Sequence, residues 1–441
     1  MTRNRTLYLF ILIAAYLLAG HPLATRSHGQ NTPGSTGSVH SVGVSPARNG
    51  GDIPGADDYA KTLQDVWSEV KRHFYDPRLH GVDWDHVRDQ YLAQVNNVRS
   101  KSDFKELVNR MLRELHASHT DFVTTDDVEY YMMWAVRTQQ TEGNEVAQIG
   151  VMGQPEADGY HVSAVLNGEA AIKAGIEPGD VLLTADGEPY LSAASLRNKA
   201  GREVRVGVRG VDGKSRFVEV VPTSKNILKS FLDATRTSAQ ILNVNGKRIG
   251  YVHLWTMATD VFRRTLEGLV LGRLHDTDGL ILDLRDGYGG TPFGFSDVFL
   301  RPDLSWEMQA HDGATRLSYT GYGKPMVVLI NSGTRSAKEF LTYQLKSAHR
   351  ATIIGLRTAG AFLGASFIPI GKDNLLELAV EGLRVNGAPL ENRGVDPDVV
   401  VAAAGTYTDR DAQLLYAENL LGHTPTPPNR DSGAPGIIHV H

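Results

Sequence analysis

Residues Met326 to Leu345 read M-V-V-L-I-N-S-G-T-R-S-A-K-E-F-L-T-Y-Q-L, and their reading decides the fold. Met326 to Ile330 is a short unbroken apolar run after Pro325, the pattern of a strand buried on both faces. Asn331-Ser332-Gly333-Thr334 breaks it with turn residues. Ser336 then opens a segment that places Phe340, Leu341 and Leu345 on one helical face. A hydroxyl at this strand-to-helix junction faces the free N–H groups of the helix, which favour developing negative charge. Ser336-x-x-Glu339 equally fits a capping box, so this stretch alone leaves a helix cap and a nucleophile both open.

Working outward, strand-like and helical patterns alternate from about Lys225. Ile249 to Leu254 is a strand, Phe262 to Leu274 an amphipathic helix, and Gly279 to Leu284 a second buried strand that ends in Arg285-Asp286-Gly287-Tyr288-Gly289-Gly290. A helix around Phe293 to Leu300 and a strand at Ala351 to Gly355 complete the series. Such repeats predict a mostly parallel sheet with right-handed crossovers. Parallel strands bring the loop after Asp283 and the loop before Ser336 to one carboxyl edge, where open α/β sheets carry their sites. Gly289-Gly290 permits a close backbone approach and can present bare N–H donors. No Gly-Lys-Ser/Thr follows, so this is not a phosphate loop. It is either a plain tight turn or, beside a strand-end serine, part of an oxyanion hole.

Upstream, Asp57 to about Gln140 carries three segments with helical spacing, one of them through Leu107, Met111 and Leu115. They form a helical N-terminal domain (57–140) that ends in L-H-A-S-H-T-D-F, Leu115 to Phe122. His116-x-x-His119 is a weak metal pattern without a third ligand, and we expect no metal and no cofactor. Residues 141–225 are β-rich, with A-I-K-A-G-I-E-P-G-D from Ala171 to Asp180 feeding the strand Val181-Leu182-Leu183.

The outer segments are of a different kind. Arg3 and Arg5 precede an apolar run, Leu7 to Ala19, so residues 1–24 read as an export signal, with an uncleaved anchor as the alternative. Residues 25–56, rich in Gly, Ser, Asn and Pro, read as a disordered linker, and 421–441 as a disordered tail. With 45 basic and 50 acidic residues the net charge is −5, which gives no argument for nucleic acid. There is no cysteine, so disulfides, thiol nucleophiles and lipidated cysteines are excluded. The folded part is expected beyond the inner membrane, periplasmic or extracellular, with membrane contact only through an uncleaved signal.

Two resemblances follow from these motifs. The Ala171–Asp186 stretch resembles the most diagnostic part of PDZ domains. That implies a groove taking an extended peptide as an added strand, with Gln148, Ile149, Gly150 and Val151 as its carboxylate loop, or else a PDZ that only packs. D-L-R-D-G-Y-G-G (Asp283 to Gly290), N-S-G-T-R-S-A-K-E (Asn331 to Glu339), G-L-R-T-A-G (Gly355 to Gly360) and E-N-R-G-V-D-P-D (Glu391 to Asp398) occur in this order. With S-H-T-D-F and the inserted β-rich segment, they resemble the family of C-terminal processing peptidases and the tricorn protease core, over about Asp57 to Ala417. The resemblance implies a multidomain α/β protein: a helical domain, a PDZ-like domain and a ClpP/crotonase-like serine peptidase domain (226–420).

It also implies roles. One branch of the family uses a lysine immediately after T-x-G, but that position here is Ala361. The tricorn-like branch uses a histidine from the N-terminal region and a late glutamate, which correspond to His119 and Glu391, with Ser118 matching the serine before the histidine. Ser336 is then the nucleophile, His119 its base and Glu391 the orienting carboxylate, with Gly289, Gly290 and Ala337 around the oxyanion. Glu114 or Asp121 could orient the histidine instead, and Lys338 is a rival base that should point elsewhere along the helix. The expected activity is endopeptidase cleavage through an acyl-enzyme. The alternative is a non-catalytic relative, a retinoid-type binder or a PDZ adaptor, since D-G-Y-G-G departs from the N-P-G-G commoner in the peptidases.

Overall fold

The structure, a computed structural model, describes residues 56–402 and 411–423. The export-signal and linker segments lie outside the described residues, as does the tail beyond residue 423. Among the described residues no helix is long and apolar enough to cross a membrane.

The strand read from Met326 to Ile330 is fully buried at every position. It lies inside a six-stranded sheet whose order runs Gln240–Val244, Lys247–His253, Gly279–Asp283, Met326–Ile330, Thr352–Gly355 and Val399–Val400. The first pair is antiparallel and every later pair is parallel. Helices Ile227–Ser238, Asp260–Leu271 and Ala337–Ser347 contribute Phe231, Phe262 and Leu341 to one core, together with Leu282 and Val328 from the sheet. Helix Ala412–His423 covers a second core with Ile281, Val327 and Leu329. Apolar side chains at odd and even positions of the same strands thus enter different cores, which explains their continuous hydrophobic runs. The helix expected at Phe293–Leu300 is shorter, Asp297–Leu300, because Gly294 adopts φ +81 and Ser296 begins the turn.

Helices Ala56–His73, Trp84–Leu92 and Lys101–Arg113 pack through Leu63, Val66, Leu107 and Met111. This core is completed by Phe122, Leu363, Leu376 and Leu378, residues of a three-stranded antiparallel sheet. There Asp121–Thr124 pairs with Asn374–Gly382, which pairs in turn with Leu363–Ile370. The helical segment is therefore joined to the late part of the chain by a shared core and by main-chain bonds. These strands bring the turn that carries His119 back to the α/β sheet.

The third body is a sheet of Val151–Glu156, Gly159–Val165, Val181–Ala185, Val204–Arg209 and Ser215–Val220, in that order, around Val162, Leu182 and Val206. Its strand Val151–Glu156 lies at an edge. Helix Ser192–Leu196 leans on the segment before helix Val128–Thr138: the Ala194 N–H donates to the Asp126 carbonyl at 3.1 Å and Arg197 pairs with the Asp126 carboxylate at 2.5 Å.

Candidate active site

The two loops at the carboxyl edge are stitched together. Asp283 stands opposite Leu329 in the parallel register. The Asp286 N–H donates to the Asn331 side chain at 3.1 Å, and Asn331 Nδ2 donates back to Asp286 Oδ1 at 3.0 Å. Thr334 Oγ1 donates to the Leu284 carbonyl at 3.0 Å. Below them Arg285 pairs with Asp283 at 2.6 Å and Asp411 at 2.7 Å. Burial alone would raise the Asp283 carboxyl, but the Arg285 guanidinium overcomes it and holds the group well below the usual carboxylate range.

Ser336 sits at φ 58, ψ −128, a backbone conformation rare for an L residue and of the kind that clusters at active sites. Its N–H is held twice, by the Ala361 carbonyl and by Glu339 Oε2, both at 3.0 Å. Glu339 therefore makes the capping contact expected from Ser336-x-x-Glu339, and it does more. The same carboxylate accepts Thr358 Oγ1 at 2.6 Å and the N–H groups of Gly360 at 2.7 Å and Ala361 at 2.9 Å. Burial raises its pKa and these hydrogen bonds oppose the rise. The cap and the serine junction are one device that fixes Ser336 against the 358–361 loop.

Gly289 faces Ser336 directly. A Cβ on Gly289 would stand 2.5 Å from Ser336 Cβ and 2.8 Å from both Ser336 Oγ and the Ala337 nitrogen. Its carbonyl accepts Thr256 Oγ1 at 3.0 Å on the opposite side. Gly290 has φ +139, and a Cβ there would collide with the Met257 backbone. The structure thus brings Gly289 and Ala337 to the serine while Gly290 turns against the Met257 backbone, and both glycines are required by conformation or approach.

His119 reaches this edge through a chain of contacts. Glu391 Oε1 accepts the Ser118 N–H and Oε2 accepts the Ser118 hydroxyl, both at 3.0 Å. Oε2 also accepts the Phe362 N–H at 2.6 Å, next to the Ala361 carbonyl that holds Ser336. His119 itself is buried, with φ 53. Its Nδ1 lies 2.7 Å from Glu377 Oε1, while its Nε2 is buried without a hydrogen-bond partner. The carboxylate on the imidazole is thus Glu377, whereas Glu391 engages the preceding serine. Of the other expected candidates, Glu114 accepts the Tyr91 hydroxyl, and His116 is exposed. Glu377 carried no motif in the sequence. Its one signal was a carboxylate within the apolar run Leu375 to Val380.

Lys338 is completely buried and its Nζ donates to the Asp286 carbonyl at 2.7 Å, so it braces the glycine-rich turn rather than the serine. Burial pushes its ammonium down to about 7. The residues of the expected carboxylate loop face several ways. Gln148 is buried and donates to Ser230 Oγ at 2.7 Å, and Ile149 is also buried. Gly150 has φ +83 and lies against Glu169. Half-buried Val151 opens the edge strand.

Residues 248–401 match the model of peptidase family S41, and residues 56–113 match that of the tricorn protease C1 domain. The chain is 24% identical over 399 residues to a carboxyl-terminal-processing protease of Synechocystis sp., covering 86% of this chain and 91% of the relative. It is 26% identical over 427 residues to a putative tricorn protease homolog 2 of Streptomyces coelicolor, covering 86% of this chain but 34% of that longer protein. The crystal structure of the tricorn protease superimposes with a TM-score of 0.50 at 17% identity, over 83% of this chain and 37% of the other. The matched S41 and tricorn C1 models, together with the C-terminal processing and tricorn proteases among the relatives, support a serine-type peptidase of the S41 kind.

Proposed function

We propose that the protein is an exported endopeptidase that cleaves peptide bonds through an acyl-enzyme on Ser336, with His119 as general base. The observation that carries this reading is the strained Ser336 junction pressed against Gly289 and Ala337. A hydroxyl needs a base to attack at neutral pH. Lys338 is engaged elsewhere and Ala361 offers none, whereas His119 has an unpartnered Nε2 on an element bound to the same loop. The N–H groups at the head of helix Ala337–Ser347 and in the Gly289–Gly290 turn would receive the oxyanion of a tetrahedral intermediate. The catalytic sheet is of the ClpP/crotonase kind.

The 141–225 segment acts as a PDZ domain. Its edge strand Val151–Glu156 would pair with an extended substrate segment and deliver it to Ser336. The charged start and apolar run of residues 1–24 support export.

A fluorophosphonate probe tests the reading. The full chain should be labelled covalently and should digest denatured casein. Ser336→Ala should lose both, and His119→Ala should slow both by about 10²–10⁴-fold, the contribution of a positioned general base. Undiminished labelling of Ser336→Ala would refute it.

A further inference from the structure

Two carboxylates approach the His119 turn, and their contacts differ in kind. Glu391 accepts hydrogen bonds from Ser118 and Phe362. Glu377 instead meets the imidazole Nδ1 at 2.7 Å, with both side chains more than nine-tenths buried.

The position of Glu377 is an unfavourable one for a charge. It lies in the strand Asn374–Gly382 between the fully buried Leu376 and Leu378, and directly opposite Asp121 in the antiparallel register. A buried ion is costly and a like charge across the ladder adds to the cost. The groups facing it are His119, Asp121, Arg335 from the loop before the nucleophile and Tyr288 from the glycine-rich turn. Burial pushes the Glu377 carboxyl up, and His119 with Arg335 more than reverse this, so the group is held as a carboxylate. A carboxylate only accepts, so the imidazole nitrogen against it carries the proton. In the neutral ring that leaves a lone pair on Nε2, the nitrogen without a partner.

We propose that Glu377 is the positioning residue of the catalytic base. It holds His119 in the tautomer with a bare Nε2 and offsets the charge gained when the ring takes the Ser336 proton. Glu391 clamps the Ser118 turn to Phe362 and fixes where the ring stands. This assignment rests on the reading of Ser336 as nucleophile and His119 as base.

Labelling kinetics with the fluorophosphonate separate the roles, because the reaction needs the base but no known substrate. In Glu377→Gln the maximal labelling rate should fall by about 10²–10⁴-fold with half-saturation unchanged. Its rise with pH should move to lower pH, since the carboxylate that favours imidazolium is gone. Glu377→Asp should recover part of the rate. Glu391→Gln should lose less and leave the pH limb in place. A Glu377→Gln enzyme within threefold of the parent with an unmoved limb, or a limb moved by Glu391→Gln alone, overturns the assignment. If Glu377→Gln does not fold, imidazole nitrogen NMR of the unmutated chain decides. A proton on Nδ1 of His119 is expected, and one on Nε2 overturns it. Retained labelling of Ser336→Ala would instead sink the underlying reading, whatever the Glu377 variants do.

Discussion

Gly289 lies so close to Ser336 that a Cβ on it would stand 2.8 Å from the serine Oγ. The absence of a side chain at 289 is therefore a condition for the hydroxyl to occupy its position. Gly289→Ala should push Ser336 or the Tyr288–Gly290 turn aside. We expect a rate loss of about 10²–10³-fold, comparable to removal of an oxyanion donor, with a small change in stability. Probe labelling alongside thermal melting checks this, and a mutant that melts normally and labels at the parental rate would contradict it.

Glu339 should matter to both stability and rate. Its carboxylate accepts four donors from Ser336, Thr358, Gly360 and Ala361. In Glu339→Gln an amide N–H must face some of them, and each buried donor left unpaired costs about 1–3 kcal/mol. Urea unfolding should show a loss of about 2–4 kcal/mol, larger than that of an ordinary exposed helix cap at about 1 kcal/mol.

Placing a lysine after T-x-G should not create a second base. Ala361 is buried, yet its N–H and carbonyl are held by Glu339 and Ser336. A lysine base needs a neutralised amine in a desolvated pocket. The double variant His119→Ala, Ala361→Lys should stay as slow as His119→Ala in probe labelling.

Acid should weaken the fold through His253. Burial holds this imidazole down to about 4, against the nearby Asp283 that favours its charge. It stacks on Trp255 at 3.7 Å, and its Nε2 donates to the Arg285 carbonyl at 2.8 Å. The unfolded chain binds a proton near ~6.5 and the folded chain only near 4. Between these values the unfolded state holds more protons, so stability falls as pH drops through the window, by up to about 1.4 kcal/mol per pH unit. His253→Gln, which keeps a donor for the Arg285 carbonyl, should flatten that part of the stability–pH curve in urea titrations between pH 4 and pH 7.

The edge strand predicts a difference between substrates. Replacing Val151, which packs on this body's own core, by proline should block strand addition at Val151–Glu156 and slow digestion of denatured casein. Probe labelling should change little, because the strand belongs to a body with its own core. An equal loss of both would show that this body shapes the site itself.

Much of this architecture was legible in local pattern. The buried run Met326–Ile330, the glycines after Asp283 and the helical stripe after Ser336 identify a parallel sheet with its site at the carboxyl edge, because strand burial, turn chemistry and helix amphipathicity are short-range properties. The same pattern could not assign the partner of His119. Glu377 stands 258 residues further along the chain, in an apolar run with one acidic interruption that local pattern did not single out. Its role depends on the antiparallel register that sets it opposite Asp121, and such a register is decided by the shared core of Phe122, Leu376 and Leu378. The motif that named Glu391 located the right loop, but which carboxylate meets the imidazole was settled by how two distant strands pair, since a slip of one residue would turn Glu377 to the other face.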